Sequence, residues 1–167
     1  MDSTEVVVAR DRQGILIRRI FDAPRAVVFQ VYTDPEVIPK WWGPKEYGAR
    51  VEYMDVTPGG RWKILTLDSA GAVFASSAGV YHSVVRDECI VRTVEFSRMA
   101  GRVQLHTDTF DDIDGKTRYT SVITCQSVED RDLLVAIDAV AGLRETMDRF
   151  AILVAEKVAR TPDNPSG

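Results

Sequence analysis

From Tyr47 to Val128 the chain alternates apolar and polar residues with a period near two. From Asp130 to Arg160 the spacing changes to steps of three and four. Period two is the mark of a strand, whose successive side chains face opposite sides. It predicts strands over Tyr47–Val56, Arg61–Leu67, Val73–Ser83, Cys89–Phe96, Arg102–Phe110 and Thr117–Val128. The separators are turn formers: Pro58-Gly59-Gly60, Asp68 to Gly71, Arg86-Asp87, Met99 to Gly101 and Asp111 to Gly115. They are too short for parallel crossovers, so the strands are expected to run as consecutive antiparallel hairpins. Glu5–Arg10 and Ile15–Phe21 add β-rich segments around a turn at Asp11 to Gly14. Pro24 suits the first position of a helix with Asp22 nearby to satisfy free amides, and Val27, Val28, Val31 and Tyr32 form its apolar stripe. A second helix after Asp34-Pro35, ending near Trp41, must be kinked or very short because it contains Pro39.

In the last segment Ala136, Val140, Leu143, Met147, Phe150, Val154 and Val158 fall on one face of a helical repeat. Asp138, Glu145, Asp148, Arg149 and Glu156 lie opposite, where Arg144 with Asp148 and Glu145 with Arg149 would pair on a wet surface. One helix over Asp130–Arg160 would be about 45 Å long and needs a large apolar partner, which only a curved sheet can supply. The expected fold class is α+β, with a strongly bent antiparallel sheet of about seven strands, a long C-terminal helix and two short helices after the first strand. A sheet wrapped around a helix often leaves a hollow, so the pattern reads as a ligand-sized container.

Composition narrows this further. The 167 residues suit one domain, 1–167, with a core over about 10–158 and a frayed polar tail at 161–167. A net charge of −4 argues against a nucleic-acid or anionic-membrane partner, both of which want a basic surface. No apolar run approaches the ~20 residues that span a bilayer, and Met1 to Glu5 lacks the basic start of an export signal, so cytoplasmic residence is expected. Cys89 and Cys125 read as separate buried thiols. His82 and His106 are the two histidines, and without a histidine or cysteine cluster neither a metal nor another cofactor is expected. Pro58-Gly59-Gly60 joins two strands and lacks the lysine-serine pair of a phosphate loop.

Several short motifs appear in a fixed order: Phe21-Asp-Ala-Pro24, Thr33-Asp-Pro35, Trp41-Trp-Gly-Pro44, Asp55-Val-Thr-Pro-Gly-Gly-Arg-Trp62, Gly115-Lys-Thr117 and Arg144-Glu-Thr-Met-Asp-Arg149. Together they resemble the SRPBCC (START-like, helix-grip) superfamily. Within it the chain is similar to bacterial proteins related to the C-terminal domain of the heat shock protein 90 ATPase activator. The resemblance implies a helix-grip fold with a cavity between the sheet and the C-terminal helix. There, superfamily members bind hydrophobic or amphipathic small molecules, and some are polyketide cyclases or aromatases. The chain departs from the pattern at Tyr81-His82-Ser83, where relatives often carry Tyr-x-Glu, and at Asp138-Ala-Val-Ala-Gly142, where relatives often carry paired acids. An activity relying on those acids is therefore in doubt here.

The candidate binding residues follow from these patterns. Ser77, Gly79, Tyr81 and Ser83 share one strand face, and small residues beside a tyrosine describe a pocket wall, although Gly79 also suits a sharp sheet bend. Along Arg102–Phe110 two cues disagree. Hydropathy turns Val103 and Leu105 inward and leaves His106 and Asp108 on a solvated polar strand face, the reading favoured here, whereas the family phase follows Phe110 and aims His106 and Asp108 into the cavity. Arg92 is expected to face solvent; inward, it would need a carboxylate such as Asp108 or an acidic ligand. Of Trp41 and Trp42, one should plug the core while the other lines the cavity mouth or an oligomer contact, the basis for expecting a homodimer. Val140, Leu143 and Met147 would line the cavity from the helix, and Gly142 would allow close approach or room for a bound molecule. The leading expectation is binding of a small apolar or amphipathic ligand. The alternatives are an enzyme using His106, Asp108 and Tyr81 in acid–base roles, and a chaperone-associated interaction module with an exposed apolar patch near Trp42.

Overall fold

The computed structural model describes residues 3–161. Its strands are β1 (Glu5–Val8), β2 (Gly14–Phe21), β3 (Gly48–Met54), β4 (Arg61–Leu67), β5 (Val73–Val85), β6 (Cys89–Phe96), β7 (Gln104–Ile113) and β8 (Lys116–Thr124). They form one sheet in the order β1-β2-β8-β7-β6-β5-β4-β3. Every neighbouring pair is antiparallel. Consecutive hairpins account for all pairings except β2 with β8, which joins the start of the chain to its last strand. Register shifts at Val51/Tyr53, Thr66/Leu67 and Tyr81/Ser83 leave the extra residue on β3 in the first case and on β5 in the other two. Such bulges bend and twist the strands that carry them. The sheet thus has one more strand than the expected seven, with the short β1 at its edge.

Three helices accompany the sheet: α1 (Arg25–Thr33), α2 (Val128–Ala136) and α3 (Ala139–Arg160). From α1 the buried residues are Val28, Phe29, Val31 and Tyr32. From α3 they are Met147, Phe150 and Val154. These rings meet those of the concave sheet face edge to face, with Phe29 at 5.3 Å from Phe110 and Phe21 at 5.2 Å from Phe150. One apolar cluster therefore joins the sheet to all three helices.

Some expectations need correction. The C-terminal segment is two helices, because Ile137 ends α2 and Asp138 adopts a left-handed conformation with φ 59. The Ser127 hydroxyl accepts from the Asp130 amide and starts α2 earlier than the apolar spacing indicated. Ala136 and Val158, assigned to the buried stripe, are exposed. Pro24 is the capping residue before Arg25, and Asp22 pairs with Lys116 instead of the helix amides. The segment after Asp34-Pro35 is a single 3-10 turn at Ile38–Lys40, as Pro39 requires. Neither surface pair on the last helix forms: Asp148 accepts from the buried Arg19, and Arg149 donates to the Gly43 carbonyl. Cys89 and Cys125 are free thiols, Cys125 buried and Cys89 half-buried. The expected frayed tail lies, beyond Thr161, outside the described residues.

Candidate functional site

On the concave face the register sets Tyr81, Arg92 and His106 side by side across β5, β6 and β7. Asp108 lies one step along β7, opposite Ile90 on one side and Ser121 on the other. The family phase therefore prevails over hydropathy in this strand. Gln104, Asp108 and Phe110 are buried, His106 is half-buried, and Leu105 is 42% exposed on the outer face.

Arg92 is 5% exposed, contrary to the surface position expected of it. The carboxylate partner that an inward arginine requires is present, with Nε 3.7 Å from Asp108 Oδ2. Two phenols complete the cluster. Tyr32 of α1 donates to Asp108 Oδ2 at 2.8 Å, and Tyr119 of β8 donates to Oδ1 at 3.1 Å. Arg92 also donates to the Tyr32 oxygen at 2.8 Å. Its guanidinium lies 5.4, 5.5 and 5.0 Å from the ring centres of Tyr32, Trp42 and Trp62. Burial alone would lower the Arg92 pKa, but Tyr32 and Asp108 raise it above the usual arginine value and keep the group charged. Burial, before any other cause, pushes the Tyr32 and Tyr119 phenols up, so both remain neutral donors.

The three residues assigned acid–base roles share this face without forming a relay. Asp108 already accepts from two phenols and faces Arg92. His106 Nε2 lies 2.9 Å from Gln104 Oε1; with the amide so oriented, Nε2 carries the proton and Nδ1 is the acceptor. Burial first, then the positive field of Arg92, lowers the His106 pKa to about 4, while Asp108 opposes the shift. Its imidazole is therefore neutral near neutral pH and a weak base. The Tyr81 hydroxyl lies within reach of the Arg92 guanidinium, which opposes the rise that burial causes in the phenol's pKa, although the contact is not well aligned for a hydrogen bond.

The proposed pocket wall is altered by the bulge after Tyr81. Ser83 pairs with Val91 and leaves the face that Tyr81 shares with Arg92, and Val84, opposite Ile90, takes its place. Ser77 is buried. Gly79 is required by backbone approach: a Cβ there would stand 1.8 Å from the Thr93 carbonyl and 3.0 Å from Trp62 Nε1. Trp41 is buried against Tyr32 and Phe150, with centroids at 5.5 and 4.9 Å. Trp42 is half-buried between Trp41 and Trp62. It packs against the core and does not form an exposed patch. On α3, Met147 is buried, while Val140 and Leu143 are half-buried. A Cβ at Gly142 would meet nothing within 4 Å, so close approach to the sheet does not explain that glycine.

Seven buried side-chain atoms have no hydrogen-bond partner among the described residues: Trp41 Nε1, Trp62 Nε1, Ser77 Oγ, Tyr81 Oη, Arg92 Nε, Glu145 Oε1 and Arg149 Nε. All belong to the concave faces of β4 to β6, to the Trp41–Gly43 segment, or to the part of α3 tied to Gly43. This region is filled with aromatic side chains. Two shallow depressions lie elsewhere. One, of about 240 Å³, is lined by Thr93, Leu105 and Thr124 on the outer face; the other, of about 450 Å³, is lined by Tyr53, Asp55 and Arg61 beside the β3–β4 turn. Neither includes an α3 residue. Tyr32, Trp62, Tyr119 and Gln104 belong to the cluster without being marked as site residues by the sequence pattern. Tyr119 and Gln104 hold alternating positions on predicted strands, and Trp62 ends a recognised motif. Nothing in the spacing shows that α1 carries the Tyr32 phenol to Asp108.

Comparison with known proteins agrees with this architecture. The protein from Mycobacterium smegmatis named Ms6760 is 25% identical over 90% of this chain and 95% of its own, with a TM-score of 0.79. A solution structure of a protein from Arthrobacter aurescens is 20% identical over 91% of each chain, with a TM-score of 0.83. A crystal structure of a protein from Rhodobacter sphaeroides reaches a TM-score of 0.83 at 15% identity, covering 92% of this chain and 99% of that one. The last two show the fold alone. No curated protein matches the chain by sequence. A family model described as Activator of Hsp90 ATPase homolog 1-like protein matches residues 22–155, and the chain belongs to that family.

Proposed function

We propose that this protein binds a small amphipathic molecule between the concave face of the sheet and α3, with the polar end of the ligand among Tyr81, Arg92 and Trp62. The family's fold supports a ligand-binding role in general terms. The observation that carries the reading is the group of buried polar atoms without partners, concentrated in one region of an otherwise well-paired interior. Leaving a buried donor or acceptor unmet costs about 1–3 kcal/mol, and such groups are rare in folded proteins unless something else satisfies them. A ligand that supplies hydrogen bonds there recovers part of that energy while its apolar body adds about 25 cal/mol per Å² buried. Because side chains fill the region, binding must displace one of them. Trp42 is the side chain to move: it is half-buried, covers Arg92, and precedes Gly43, which has φ 73 and open space where a Cβ would stand.

All three tryptophans of the chain, Trp41, Trp42 and Trp62, stand in this region, so their fluorescence reports on it directly. Titration with a naphthyl methyl ketone should give a saturable change in emission. That change should fall sharply in a Trp42→Phe, Trp62→Phe double variant that still unfolds cooperatively. Emission that stays constant across the accessible range of ligand, with ketone remaining free by equilibrium dialysis, would contradict the reading.

A further inference from the structure

The helices pack on the concave face of the sheet and leave the convex face to solvent. There Val7, Leu16, Val122, Thr107 and Val91 stand opposite one another in a single row across β1, β2, β8, β7 and β6. They alternate along their strands with residues that face the core, so the row points outward. A second row runs beside it through Thr124, Leu105 and Thr93. On the other flank Thr120, Thr109 and Cys89 form a third. None of these side chains is charged, in a chain of which 28% is charged. Val7, Leu105 and Val122 are 43%, 42% and 41% exposed. The solvated face of an antiparallel sheet ordinarily carries polar residues. Exposed apolar side chains gathered on one face mark an interaction site, where scattered ones do not.

We infer that this face docks on the same face of a second copy of the chain, forming a two-fold sandwich of sheets. Charge selects that occupant. The ion pairs bordering the face are closed within the chain, Arg18 with Glu5 at 3.3 Å and Arg118 with Asp111 at 3.2 Å. A nucleic acid, an anionic membrane or a charged peptide finds no counter-charge in these rows, whereas an identical uncharged face opposes no like charges across a two-fold axis. The face also carries both halves of a contact. A shallow depression of about 240 Å³, lined by Thr93, Leu105 and Thr124, lies one row from the projecting Val122. In a two-fold pair Val122 of each copy enters the depression of the other. Five strands at ~4.8 Å and three rows at ~6.7 Å make a face of roughly 480 Å². None of the pairings among these strands has a register shift to bend it. Two such faces together cover about 1,000 Å², the lower limit for a specific interface, so the dimer is weak and concentration-dependent.

Sedimentation velocity of the full chain from about 5 to about 500 μM tests this directly. The sedimentation coefficient should rise over that range from the monomer value toward the dimer value. Added salt should favour the dimer, because screening weakens the repulsion between two copies of net charge −4. Val122→Lys sets a charge in the middle of the face without touching the core, and should weaken association at least about ten-fold. Leu105→Lys should do the same, which covers a Val122 variant that does not fold. Ile152→Lys, at an exposed position of α3, should leave association unchanged. A monomer at every concentration overturns the inference. So does a dimer that Ile152→Lys abolishes while both sheet variants preserve it. Neither result bears on the ligand reading above, which concerns the concave face.

Discussion

The Arg92–Asp108 pair shows how one buried residue fixes the meaning of its neighbours. With Asp108 fully buried and engaged by Tyr32, Tyr119 and Arg92, removing its charge leaves a guanidinium stranded in the core. Asp108→Asn should destabilise the fold by about 3–5 kcal/mol. The paired replacement Arg92→Met with Asp108→Leu should be less destabilised than either single change, as urea unfolding would show. His106 makes a separate prediction. Its folded-state pKa of about 4 lies below the ordinary value of 6.5, chiefly through burial. The unfolded chain therefore takes up a proton near pH 6.5 that the folded chain refuses until about pH 4. The stability contributed by neutral His106 is full above pH 6.5 and is lost as the pH falls toward about 4, by on the order of 3 kcal/mol. His106→Gln should remove this part of the acid dependence; equal slopes in the two proteins over that window would contradict it.

At the level of elements, two glycines give opposite expectations. Gly79 of β5 faces the Thr93 carbonyl so closely that Gly79→Ala should cost at least about 2 kcal/mol. Gly142 of α3 has open space around it, so Gly142→Ala should stabilise by up to about 1 kcal/mol through helix propensity. Melting temperatures of the two variants should move in opposite directions. The strands and hairpin order were legible because period-two alternation and turn residues are local signals. The break in the last helix was not legible, since Asp138 is an ordinary helix residue by spacing and adopts φ 59 only in the folded context. The displacement of Ser83 was hidden for a related reason: a bulge moves every later residue to the other face without altering the residue pattern. The inward turn of Arg92 depends on Asp108 from the next strand and Tyr32 from α1, contacts that span sequence distances no local window covers.

Taken as a whole, the molecule is a bent eight-stranded sheet that holds α1 and α3 on one side. Arg19 ties α3 to the β1 side of the sheet through Asp148 and Thr4, and Arg131 ties α2 to the carbonyls of Ala9 and Arg12. Five of the seven polar atoms without partners lie at Trp41 and on β4 to β6, and the other two lie on α3 on either side of Asp148, where Arg149 holds the Gly43 carbonyl. The most direct measurement follows the indole N–H resonances of Trp41, Trp42 and Trp62 in nitrogen–proton correlation spectra as naphthyl methyl ketone is added. Saturable downfield movement of the Trp62 indole proton, with smaller changes around Leu105 and Thr124 on the outer face, is the predicted result. Shifts confined to that outer face, with the three indoles unmoved, would contradict the account.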